Sequence, residues 1–115
     1  MGQTITPVDL EALGDELLTQ ASQSSSGRAT QVFRAVPGGS LSQVMLALSD
    51  GRELAEHANP GQALLHVLRG RVSVTAGEDT WELGTHGHMT IPEQRHNLLA
   101  LEDAVVLLTV VRGGD

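Results

Sequence analysis

The chain has 115 residues, 40% of them hydrophobic, which suits one domain with one core. Fourteen acidic against seven basic residues give a formal net charge of −7, and one Phe and one Trp are the only aromatics. That sign opposes contact with phosphate backbones and anionic lipid, and bases find almost nothing to stack on, so neither nucleic acid nor membrane is expected as a partner. Without cysteine there is no disulfide, thiolate metal site or cysteine nucleophile. The start Met1-Gly2-Gln3-Thr4 lacks a basic, apolar leader, and no apolar run approaches the ~20 residues of a membrane span. A soluble, cytoplasmic protein is expected.

Residues 1–27 read as a helix and its connector. Thr6 is the expected N-cap, with Pro7 at the first helical position and Asp9 and Glu11 in the first turn. Leu10, Leu13, Leu17, Leu18 and Ala21 make an apolar stripe, weakened by Gly14, and the Ser-rich run to Gly27 ends it. Such a helix needs a surface to cover, either the rest of its own domain or a neighbouring subunit.

Residues 28–112 change to short β-rich runs. Strands are expected over 29–36, 41–49, 53–57, 63–68, 71–76, 80–83, 88–91, 96–101 and 104–111. Turn residues punctuate them: Pro37-Gly38-Gly39, Asp50-Gly51, Asn59-Pro60-Gly61, Gly70, Gly77, Gly84, Gly87 and Pro92. Short strands so evenly spaced argue for an all-β barrel or sandwich rather than parallel βαβ units.

Two stretches carry a resemblance. Gly51-Arg52-Glu53-Leu54-Ala55-Glu56-His57, closed by Leu68-Arg69-Gly70, is similar to the first cupin motif; Gly87-His88-Met89-Thr90-Ile91-Pro92 through His96-Asn97 is similar to the second, with a shortened loop. Leu54, Glu56, His57, Pro60 and Gly61, with Ala100-Leu101-Glu102-Asp103 near the end, resemble small single-domain bacterial cupins. The resemblance implies an antiparallel β-barrel of the double-stranded β-helix or jelly-roll type with a short N-terminal α-helix.

It also implies a site. In the family two or three His and a carboxylate or amide hold a divalent metal in the barrel mouth, and His57 and His96 stand at such positions. The rest of the set departs from the pattern, and two readings stay open. Counted from Gly51 and Gly70, Asn59 replaces the second His and Ala63 the Glu; Ala63, Leu65 and Val67 then point inward. Counted from the His-to-Glu spacing, Gln62 replaces the Glu and shares an inward face with Leu64 and His66. The candidate metal ligands are therefore His57, His96, Gln62 and His66, for Fe, Mn, Ni or Zn, with no catalytic residue assigned. His86 and His88 resemble a His-x-His chelate but belong to the turn before the second motif, far from His96.

With no acidic ligand, a bound 2+ ion keeps its charge and favours an anionic small molecule. The function expected is a small cupin binding a divalent metal and a small molecule, its reaction open. The alternative is a non-catalytic, metal-poor barrel that binds or senses a small ligand. A homodimer is expected, because residues 29–36 offer a strand edge.

Overall fold

A computed structural model describes residues 6–57 and 61–112; the side chains of residues 55–57, 61 and 112 lie outside that description. The expected turn at Asn59-Pro60 and the tail 113–115 also lie outside it. One helix, α1 (Leu10–Gln23), precedes nine strands: β1 (Arg28–Ala35), β2 (Leu41–Leu48), β3 (Glu53–His57), β4 (Gly61–Arg69), β5 (Val72–Ala76), β6 (Asp79–Leu83), β7 (His88–Thr90), β8 (His96–Ala100) and β9 (Ala104–Arg112). They form two antiparallel sheets, one ordered β1-β2-β9-β4-β7 and the other β3-β8-β5-β6.

Strand alternation divides the apolar residues of the five-stranded sheet between two cores. Leu46 and Leu48 on β2, Leu65 and Val67 on β4 and Val106 on β9 face the second sheet, where they meet Val72 and Val74 on β5 and Leu98 on β8. Met45, Ala47 and Val105 face outward, under Leu13, Leu17 and Ala21 of α1. The helix thus lies across its own barrel, which is why β2 and β9 are apolar at both parities. Burial of a leucine stabilises by about 1.5–3 kcal/mol, so Leu17 and Leu13 are the largest apolar anchors of the helix.

The helix begins later than the sequence suggests. Asp9, not Thr6, is the N-cap: its carboxylate accepts from the backbone N–H groups of Glu11 and Ala12 at 3.0 and 3.2 Å. A carboxylate at this position satisfies two orphan donors and meets the positive end of the helix dipole, an advantage that Thr6 lacks.

The motif glycines meet at one corner. Gly70 has φ +85°, and an added Cβ would stand 2.2 Å from the Asp103 carbonyl oxygen and 2.9 Å from Ala104 Cα, so only glycine fits. The Gly51 N–H donates to Ala100 O at 2.9 Å, and the Asp103 carboxylate accepts from the Asp50 N–H at 2.8 Å. The step 100–103 and the glycines that frame the first motif therefore serve the same joint, which clamps the β2–β3 and β4–β5 turns against the β8–β9 turn.

Candidate functional site

β8 presents His96, Leu98 and Ala100 to the interior, following the alternation of the strand. His96 is only 4% exposed. Its Nδ1 lies 3.0 Å from Gln94 O, and a carbonyl can only accept, so Nδ1 is the donor of this hydrogen bond. The register sets His57 directly opposite His96. An irregularity between Leu54 and His57 on β3, where the chain takes one more residue than Leu98 to His96 on β8, precedes this pair. The side chains of His57 and Glu56 are outside the described residues, as is Asn59.

β4 resolves the open register. Ala63, Leu65 and Val67 are buried and face the second sheet, whereas Gln62 is exposed and His66 half-buried on the opposite face. Gln62 and His66 are therefore corrected as barrel ligands. The physical cause is the pattern itself: one parity of 62–67 is wholly apolar, and turning Gln62 and His66 inward would bury two polar groups within the Leu/Val core. Gln62 instead borders an outer groove with Leu64, Thr90 and Glu93.

A cavity of about 50 Å³ lies between the sheets beside His96. One water needs ~10–15 Å³ on this measure, so the space holds about three or four waters or a few heavy atoms of a ligand. Leu54, Ala63, Leu65, Val74, Ile91, Leu98, Leu108 and Val110 line it, and His96 is the sole polar side chain among the described lining residues. Catalytic zinc sites use three protein ligands. Among the described residues no group of three His, Asp or Glu is disposed to hold a metal ion. Among the described residues the barrel interior offers one imidazole donor, His96.

Outside the barrel the structure gathers three histidines that the sequence had left apart. His66 on β4 pairs with His88 on β7, with ring centroids 5.9 Å apart. His86, in the turn before β7, brings its ring to 5.8 Å from that of His66. The His86–His88 spacing was visible in the sequence; the addition of His66 depended on a register between strands about twenty residues apart.

No family model matches the sequence, and no curated protein matches it. Solved structures do. A cupin superfamily protein from Desulfitobacterium hafniense superposes with a TM-score of 0.69 at 14% identity, over 75% of this chain and 78% of that one. Salicylate 1,2-dioxygenase from Pseudaminobacter salicylatoxidans gives 0.73 at 16% identity, over 85% of this chain and 32% of the dioxygenase. An HTH_3 family transcriptional regulator from Vibrio cholerae gives 0.67 at 22% identity, over 87% of this chain and 60% of the regulator. At these identities the likeness concerns the fold, and the fold serves an enzyme and a regulator alike. No helix among the described residues is long and apolar enough to cross a membrane. With its two antiparallel sheets, its motif glycines at one corner and these superpositions, the chain is a small cupin-fold protein.

Proposed function

We propose that the barrel captures a compact, largely apolar small molecule that carries one acidic oxygen, and that His96 is its polar anchor. The observation that carries this reading is the cavity: among the described residues, aliphatic side chains surround one buried imidazole. Apolar pockets with few polar groups take their affinity from burial and their orientation from the polar atom. The hydrogen bond from Nδ1 to Gln94 O fixes the ring, and in the neutral ring Nε2 then accepts, which suits the O–H of a carboxylic acid, enol or phenol. If the proton passes to Nε2, the pair becomes an imidazolium and the ligand's anion, a stronger contact in a dry site. The salicylate dioxygenase among the structural neighbours is named for an aromatic carboxylate.

Isobutyrate is a suitable probe, with a small branched body and one carboxyl group. Binding to the wild type, followed by imidazole chemical shifts, is expected at millimolar concentrations. His96→Leu keeps the volume apolar and should weaken binding by about tenfold, the worth of one charge-assisted hydrogen bond. Unchanged binding in that variant, with the fold intact by circular dichroism, would overturn the reading.

A second reading is favoured by the register of His57 against His96. Directly opposed residues of an antiparallel pair share a face, so two imidazoles would be available for a divalent ion whose remaining positions the ligand's oxygens fill. Metal analysis of untagged protein separates the two: stoichiometric Fe, Mn, Ni or Zn that disappears in His57→Ala and His96→Ala supports the metal, and metal unaltered by both removes it. The exposed edge strand β1, with Val32 60% exposed, supports a homodimer formed along that edge. Val32→Lys should then raise the monomer fraction in light scattering, and an unchanged mass would remove this interface.

A further inference from the structure

We propose that Ala63 sets the ligand class of the barrel: its short side chain leaves a slot that admits the branched three-carbon body of an acid such as isobutyrate and excludes an aromatic ring. The inference rests on the reading of His96 as polar anchor and adds the shape of what is anchored. Three observations carry it.

The first is a dip in one row of side chains. In the five-stranded sheet β4 lies between β9 and β7. Ala63 is registered with Val110 on β9, and the Ile91 N–H donates to Ala63 O at 2.9 Å, one step beyond the pair Leu64–Thr90. Directly opposed residues of antiparallel strands share a face, so Val110, Ala63 and Ile91 form one row toward the interior. The next row along the strands, Leu108, Leu65 and Met89, has a leucine at its centre. Neighbouring strands run about 4.8 Å apart, so Val110 and Ile91 wall a slot about 10 Å across, backbone to backbone, with one methyl group at its floor.

The second is where the slot opens. The facing sheet brings a row of its own, Leu54 on β3, Leu98 on β8 and Val74 on β5. His96 stands two residues from Leu98 on the same face of β8. All of these residues line the cavity, and Ala63 is the one described lining residue smaller than valine. Ala63 and Ile91 are both buried. The free space beside the imidazole is therefore space that Ala63 does not fill.

The third is size. The cavity measures about 50 Å³, whereas an engineered protein cavity that takes benzene measures about 150 Å³. The three carbons of an isopropyl group match the room for three or four waters, at ~10–15 Å³ each, and the six of a rigid ring do not. One methylene more or less in an apolar pocket changes selection by about tenfold or more, so a single wall residue decides between such ligands.

The test uses the full chain with isobutyrate, benzoate and, as an apolar probe without an acidic oxygen, xenon, each followed by methyl and imidazole chemical shifts. The wild type is expected to prefer isobutyrate to benzoate by at least about tenfold and to take up xenon. Ala63→Val fills the slot: isobutyrate affinity should fall at least about tenfold and the xenon shifts should vanish, while the urea midpoint is held or raised because a void is filled. Ile91→Ala removes one wall and should cut the preference for isobutyrate over benzoate by at least about tenfold. Isobutyrate or xenon binding retained in Ala63→Val, a urea midpoint that drops there, no xenon uptake by the wild type, or an unchanged preference in Ile91→Ala would overturn the proposal. Xenon reads the slot without the anchor. Acid binding that ignores His96→Leu, with xenon lost in Ala63→Val, removes the anchor and keeps the slot; the reverse pattern removes the slot and keeps the anchor.

Discussion

The two faces of β4 make opposite environments from adjacent residues. Inward, Ala63, Leu65 and Val67 belong to an apolar core beside a cavity whose described polarity is one imidazole; outward, Gln62, Leu64 and His66 face away from it, and His66 meets two further histidines. The inner ring, His96, donates from Nδ1 to a backbone carbonyl and stands among hydrocarbon side chains. The outer three stand near one another at the surface, their spacing set by a strand register and a left-handed residue. A shift of one position along β4 would exchange these roles, and strand parity therefore decides which histidine chemistry belongs to the barrel.

The sharpest way to break the comparison is a pair of neighbouring truncations. Leu65 is fully buried and Leu64 is 41% exposed. Leu65→Ala should lower the unfolding free energy by about 2–5 kcal/mol and Leu64→Ala by less than about 1 kcal/mol, read from urea denaturation. Comparable losses at both would mean that the parity is misassigned. The histidines give the next contrast. His96→Ala removes a buried ring and the donor to Gln94 O, an expected cost of about 1–3 kcal/mol, while His88→Ala at the surface should stay within about 0.5 kcal/mol. A smaller effect is expected at the helix that covers the outer core: Asp9→Ala should cost about 1 kcal/mol by loss of the cap. The smallest is a gain. An added Cβ at Gly14 would meet Arg69 and Val105 at an ordinary 3.5 Å, so Gly14→Ala should raise stability by about 0.4–1 kcal/mol, and a loss there would show α1 seated closer to the sheet than described.

The strands were legible because glycine and proline punctuate them: each expected run overlaps an observed strand, with ends displaced by no more than two residues. Gly51 and Gly70 were legible as motif positions, and their backbones, at φ +83° and +85°, supply the reason. The cap was not: Asp9, expected within the first turn, takes that role from Thr6 through its hydrogen bonds to the Glu11 and Ala12 N–H groups. The face of β4 stayed open for a different reason. The two motif counts assign opposite parities to 62–67, and the wholly apolar parity Ala63, Leu65 and Val67 is the one that is buried. The outer histidine group was beyond reach because it joins β4 to β7 through a register and a turn conformation that no local pattern encodes.

One measurement bears most directly on the two faces of β4: imidazole ¹⁵N spectra of the untagged protein titrated with isobutyrate. The account predicts that isobutyrate shifts His96 and leaves His66, His86 and His88 in place. Movement of those three with His96 unmoved would contradict it.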